Sequence, residues 1–252
     1  MPEPPRPGAG AGSGAYWLYG LHPVLAALKN PRRTPRRLLV TADGEVALRE
    51  ALAGQTIRFT PERIERARFH TFLPEDVIHQ GIALLVEPLQ PMALDQAIAE
   101  GSGPVLLLDQ VTDPRNVGAI MRSAAAFGAA ALVLQDRHAP PETGALARAA
   151  SGMLELLPLV REVNLSRAIA QLQRAGFWVM GLASDAPRSL AQAVHGLGER
   201  RVALVLGAED TGLRRLQREA CDELVRVPMA PGVESLNVAA AAAVALYELV
   251  RE

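Results

Sequence analysis

The chain holds one cysteine, Cys221, one lysine, Lys29, and only 4% aromatic residues. A lone cysteine excludes an internal disulfide. No uninterrupted apolar run reaches the roughly 18 residues that a membrane span needs, and no charged, apolar and small-residue sections line up as a secretory leader. A soluble cytoplasmic protein is expected. The five histidines, His22, His70, His79, His138 and His195, show neither i,i+4 spacing nor pairing with cysteine, so no metal site is expected. The formal net charge is −1. That balance lacks the basic excess of a protein that coats nucleic acid by charge alone, so any contact with a polyanion must be local. With Lys29 the sole lysine among 26 basic residues, the other 25 are arginines. Arginine suits bidentate phosphate contacts, although codon usage explains the bias equally well.

What is present is apolar and rhythmic. A length of 252 residues at 49% hydrophobic content allows one large core or two modest ones. The opening Pro-Gly-Ala segment, 1–15, has almost nothing to bury and reads as a disordered tail. Residues 16–90 form a small α/β unit. It has a helical stripe (Leu21, Val24, Leu25, Leu28), a strand over 37–42, helical patches to about 72 and a strand over 81–89. Residues 91–103 mix prolines, a short helix and a Gly-Ser turn and read as a linker. From 104 to 252 the pattern predicts strands at 105–109, 130–135, 154–160, 177–183, 202–207 and 223–229. Helical patches fall between them at 117–127, 142–150, 165–175, 189–195 and 213–220. Near-continuous apolar strands alternating with helices mean a mostly parallel, doubly wound α/β sheet.

Ligands of such sheets collect beyond the carboxyl ends of strands. Three of those ends carry polar, glycine- or alanine-flanked turns. After the strand at 105–109, Asn116 is placed to cap a helix, Gly118 and Ala119 leave its first turn bare, and Arg122 follows six residues on. After 202–207, Gly207 ends the strand and Glu209 stands in a turn before Gly212. After 223–229, Pro231 and Gly232 bend the chain. Ser235 is a candidate N-cap, and Ala239 to Ala243 give a helix so bare that another backbone or helix can approach closely. Taken singly, each has a plain structural explanation: a cap and a surface arginine, a carboxylate at free amides, an alanine helix in a core. Three such sets on one sheet point to a site. No strand is followed by the glycine fingerprint of a dinucleotide domain, which excludes a nicotinamide oxidoreductase.

The segments "DPRNVGAIMRSAAAFG", "LVLGAEDTGL" and "VPMAPGVESLNVAAAAAVALYE", in that order from Asp113 to Glu248, resemble the three motifs of the SpoU (TrmH) family of RNA ribose 2'-O-methyltransferases, in the SPOUT class. "YGLHPVLAALKN" and "HQGIALLVEPL" are similar to the small ribosomal-protein-like substrate-binding domain of the subgroup that methylates a guanosine of 23S ribosomal RNA. The resemblance implies an α/β domain with a trefoil knot, bound S-adenosylmethionine and a homodimer packed through the knot. On it, cofactor binding falls to Gly207, Val227, Met229 and Leu236, and catalysis to Asn116, Arg122, Glu209, Ser235 and Asn237. Asp210 stands where the family usually has glycine and is expected to tolerate a left-handed backbone. Ala239 stands where many members have serine.

The resemblance implies that Arg122 acts on the acceptor hydroxyl. A guanidinium titrates above about 12 and is a poor base, so stabilisation of a developing alkoxide is the expected role. A 2'-hydroxyl acceptor implies RNA. The cluster "KNPRRTPRR", 29–37, offers Arg32, Arg33, Arg36 and Arg37 to its phosphates, or is a solvated basic loop. Two alternatives stay open: a transfer-RNA or resistance-type ribose methyltransferase, and a non-catalytic RNA-binding assembly factor of the same fold.

Overall fold

The structure, a computed structural model, describes residues 14–55, 59–137 and 139–251. Most of the expected tail, 1–13, and His138 lie outside the described residues. In chain order the first elements are β1 (Tyr16–Tyr19), α1 (Leu21–Lys29), β2 (Pro35–Val40), α2 (Ala42–Leu52), β3 (Glu62–Arg63), β4 (Ile82–Val86) and α3 (Leu94–Glu100). Then come β5 (Val105–Leu108), α4 (Pro114–Ala126), β6 (Ala131–Gln135), α5 (Gly144–Ala150), β7 (Leu159–Glu162) and α6 (Leu165–Arg174). The last are β8 (Trp178–Leu182), β9 (Arg188–Ser189), α7 (Leu190–His195), β10 (Val202–Leu206), α8 (Arg215–Ala220), β11 (Glu223–Arg226) and α9 (Val238–Val250). Among the described residues no helix is long and apolar enough to cross a membrane.

The chain divides into two compact units. The first takes residues up to 90 and, from the middle of the sequence, 141–156; the second takes 91–140 and everything from 157. In the first, the four-stranded order is β1-β4-β2-β3, with β4 antiparallel to β1 and β2, and β2 parallel to β3. The alternating inward residues Leu18, Leu38, Val40, Ile82 and Leu84 are fully buried. Burying a side chain of this size contributes about 1.5–3 kcal/mol. The expected helical run near 66 is a 3-10 segment, Arg66–Thr71. It sinks Phe69 under the His79 ring, with centroids 4.3 Å apart. His79 Nδ1 accepts from the Gly81 N–H at 3.1 Å. Burial, with Arg66 and His70 nearby, holds this imidazole below its ordinary range.

The segment 141–156 joins this unit through charge. The Arg33 side chain is fully buried and pairs with Glu142 and Glu155, each at 2.6 Å, while also donating to the Glu87 carbonyl at 2.7 Å. Tyr16 donates to the same Glu142 at 2.5 Å. Burial, and then the Glu142 charge, pushes the Tyr16 phenol up, so it stays a donor. Arg33 therefore offers nothing to a phosphate, which corrects the sequence expectation for this residue. Its neighbours remain at the surface: Arg36 pairs with Glu87, Arg37 with Glu62 at 2.8 Å, and Arg32 donates to the Gln90 carbonyl at 3.3 Å.

The second unit is a seven-stranded sheet, order β7-β6-β5-β10-β8-β11-β9, with every pairing parallel. One face, with Val105, Leu107, Val133, Val179 and Val205, packs on Leu94 and Ala97 of α3 and on Leu165, Ile169 and Leu172 of α6. The stretch read as a linker thus carries a helix docked in the core. The alternate residues Leu106, Leu108, Leu132, Leu134, Leu204 and Leu206 point to the other face and are equally buried. The strand expected over 154–160 is displaced: Met153–Glu155 is a 3-10 turn entered through left-handed Ser151 and Gly152, and β7 begins only after Pro158. Proline has no N–H to give a ladder.

Candidate active site

The sheet sets the address. From β5 the chain moves outward to β6 and β7, whereas from β10 it moves past β8 to β11 on the opposite side. Adjacent parallel strands whose connections diverge open a crevice beyond their carboxyl ends. Asn116 follows β5 and Glu209 follows β10, so each turn delivers one polar side chain to that crevice.

Helix α4 starts one turn earlier than its sequence suggested. Asp113 is the cap, accepting from the Arg115 N–H at 2.8 Å, and Pro114 takes the first helical position. The Asp-Pro pair is itself a helix start signal in the sequence. Asn116, expected as the cap, instead lies within the first turn with its side chain available. Val117, Ile120, Met121 and Ala124 form the buried stripe, which leaves Arg122 exposed on the other side. Among the described residues Arg122 makes no hydrogen bond or ion pair.

The turn after β10 is compact. Gly207 is folded so tightly against its own chain that a Cβ there would lie 2.1 Å from the Gly212 carbonyl carbon. The Gly212 N–H returns to the Ala208 carbonyl at 2.9 Å. The left-handed conformation expected near Asp210 falls at Gly212, with φ 62°, so aspartate is housed without strain. Leu213 anchors the far end in the core.

Helix α9 is capped by Asn237 and not by Ser235. Asn237 Oδ1 accepts from the Ala239 and Ala240 N–H groups at 3.0 and 3.3 Å. Two amide donors on that oxygen fix which way the side-chain amide faces. Its Nδ2 then points into the crevice and donates to Asn116 Oδ1 at 3.0 Å and to Glu209 Oε1. Glu209 Oε1 also accepts from Asn116 Nδ2 at 3.2 Å and from the Val238 N–H at 3.1 Å. The carboxylate thus sits at the amino end of α9, where the exposed amides favour negative charge. The helix it serves is α9, not the α8 that follows it in sequence. The alanines of α9 let α4 lie alongside, which brings Asn116 within reach.

Three of the five expected catalytic residues, Asn116, Glu209 and Asn237, are therefore in mutual contact. Among the described residues Ser235, exposed on the loop before α9, makes no hydrogen bond, and Arg122 makes none to the cluster. Glu209 Oε2 has no partner among the described residues, leaving a carboxylate oxygen able to accept from a hydroxyl.

The expected cofactor residues present main chain. Beyond the ladder, the N–H and C=O groups of Gly207, Val227 and Leu236 carry no hydrogen bond among the described residues. Leu236 is 38% exposed, and Met229 is half-buried. Unpaired main-chain donors and acceptors beside partly exposed apolar side chains fit a ligand with a polar nucleoside part and aliphatic surface. Among the described residues no group of three or more His, Cys, Asp or Glu could hold a metal ion.

Two family models match the chain. Residues 103–247 match the SpoU rRNA Methylase family, and residues 17–92 match the RNA 2'-O ribose methyltransferase substrate binding domain. The 23S rRNA (guanosine-2'-O-)-methyltransferase RlmB of Vibrio vulnificus is 37% identical over 243 residues, covering 94% of this chain and 96% of the relative. The RlmB of Pseudomonas syringae is 39% identical, covering 93% and 95%. The crystal structure of the SpoU methyltransferase AviRb from Streptomyces viridochromogenes in complex with the cofactor AdoMet superposes with a TM-score of 0.77. It is 27% identical, and the match covers 94% of this chain and 90% of that one. A crevice holding the motif residues on a parallel sheet, together with these matches along both units, places the chain in the SpoU family of S-adenosylmethionine-dependent RNA 2'-O-ribose methyltransferases.

Proposed function

We propose that the chain transfers a methyl group to the ribose 2'-hydroxyl of a guanosine in 23S ribosomal RNA, in the cytoplasm, as a homodimer whose catalytic domain is knotted. The observation that carries this reading is the contact of Asn116, Glu209 and Asn237, drawn from three distant motifs, at the divergent strand ends. Similarity to RlmB over nearly the whole chain supports the choice of ribosomal guanosine.

Gly207, Val227, Met229 and Leu236 would hold S-adenosylmethionine, mainly through main-chain groups. When bound, that group supplies a methyl on a positively charged sulfur, electrophilic and ready for in-line displacement. The residues of the chain supply position, which is worth several powers of ten in such a reaction. Asn116 and Asn237 hold Glu209, whose Oε2 accepts from a ribose hydroxyl. Arg122 stabilises the negative charge that develops on the 2'-oxygen as it takes the methyl group and its proton passes to water. Ser235, exposed on the loop before α9, would close on the ribose. Arg32, Arg36 and Arg37 bind phosphate in exchange for their surface contacts, which are weak enough to give up.

The test is a map of ribose methylation on 23S ribosomal RNA from cells with and without the protein. One guanosine that loses its 2'-O-methyl group and regains it on complementation supports the reading. An unchanged map overturns it.

A further inference from the structure

We propose that Asp109, through Arg214, is the positioning residue that sets Glu209 against Asn116. Asp109 closes β5 and is fully buried. Its carboxylate receives the Arg214 main-chain N–H at 3.0 Å, Nε at 2.8 Å and Nη2 at 2.6 Å. Arg214 also donates to Gln135 Oε1 at 2.9 Å, and Gln110 donates to that oxygen at 3.3 Å. Gln110 holds a left-handed backbone, φ 62°, where the chain leaves β5.

The placement gives the pair its role. Asp109 opens the segment that leads into α4 and so to Asn116. Arg214 ends the turn that carries Glu209 and stands at the N-cap of α8. The Glu209 turn is held at its start by β10, internally by Gly212 on Ala208, and at its end by this buried carboxylate. One ion pair therefore registers the two strand ends whose side chains must meet. The carboxylate is fully buried while the Arg214 side chain is 41% exposed, so Asp109 depends on the Arg214 N–H and guanidinium for its hydrogen bonds and holds the end of the turn in one place. Among the described residues neither side chain hydrogen-bonds to the Asn116, Glu209 and Asn237 cluster, so both act through the turn.

The inference rests on the reading of Glu209 as part of the site, and its test separates the two. In Asp109→Asn the Arg214 N–H keeps an acceptor but the charge is lost. The turn relaxes, and a shift on the order of 1 Å can cost about 100-fold in rate. The expected result is a fall in kcat of at least about tenfold, with KM for S-adenosylmethionine changed less than about threefold, because Gly207 stays anchored to β10. In a Glu209→Gln background, Asp109→Asn should add less than about twofold, since both changes act on one group. Effects that multiply, or a rise in KM alone, would overturn the proposal. Hydrogen exchange on the cofactor-free protein gives the second readout: the Gly212 and Arg214 amides should lose protection while those of 202–206 keep it. Unchanged protection at Gly212 and Arg214 would overturn the proposal even if the wild type proved inactive on ribosomal RNA, an outcome that would count against the function alone. Should Asp109→Asn fail to fold, Arg214→Lys keeps the main-chain bond, removes the guanidinium fork and carries the same expectations.

Discussion

Asn237 performs two tasks with one amide, and substitution can separate them. Its oxygen caps α9 at two N–H groups, and its nitrogen bridges Asn116 and Glu209. Asn237→Ala removes both. Losing an asparagine cap costs about 1 kcal/mol, and the lost bridging bonds add about 1 kcal/mol, toward the low end because the cluster is solvent-facing. For a protein of this size each kcal/mol lowers Tm by about 2–4 °C, so Asn237→Ala should melt about 4–8 °C lower. Asn237→Ser keeps an oxygen for the cap but has no second donor to reach Glu209 and Asn116. It should melt about 2–4 °C below the parent, the cost of the bridging bonds alone, yet methylate a ribosomal RNA fragment as poorly as the alanine variant, down about 100-fold in kcat. Incorporation of labelled methyl at saturating donor, set beside a calorimetric melt, measures both. Asn237→Ser with parental turnover would refute the bridge, and Asn237→Ala with a parental Tm would refute the cap.

Gly207→Ala should destabilise by about 1–3 kcal/mol and weaken S-adenosylmethionine binding in titration calorimetry, because the added methyl meets Gly212 at 2.1 Å; normal binding would show that the turn can yield. Glu155→Ala leaves Glu142 as counter-ion but takes the acceptor from Nε and Nη2 of a buried guanidinium and should cost about 1–3 kcal/mol in urea unfolding, more than loss of an exposed pair would. His79 titrates below its unfolded value of about 6.5. As pH falls below about 6.5 the unfolded chain takes the proton first, so stability is full above that value and declines down to the depressed folded pKa. Denaturant midpoints at pH 7.5 and 5.5 should therefore differ more for the parent than for His79→Asn. Arg122→Lys should lower turnover if the planar fork is needed; near-normal rates would mean that charge alone suffices.

Much of the sheet was legible because parallel strands buried on both faces read as unbroken apolar runs: "VLLLD", "ALVLQ" and "VALVL" became β5, β6 and β10. The residues that meet in the crevice were legible through motifs. Their local duties were less so. Asn116 and Ser235 looked like caps by residue type, but the caps are Asp113 and Asn237, since proline after Asp113 and the bend at Gly232 decide where each helix can begin. The burial of Arg33 is hidden from the sequence for a different reason. Its carboxylate partners lie 109 and 122 residues downstream, and no local pattern shows that a cation in a run of five will be the one turned inward. Asp109 drew no notice for the same cause, its partner being 105 residues away.

The inserted segment 141–156 bears on how this protein could be taken apart. Sequence order suggests a clean cut near residue 90, but the front unit includes that later stretch. A fragment ending at 90 would strand the Arg33 guanidinium in an apolar interior without its counter-ions, and should misfold or aggregate. Supplying 141–156 as a separate peptide should rescue it. A chimera that takes its front module from a relative should likewise take this second piece with it, so that the buried guanidinium keeps both carboxylates.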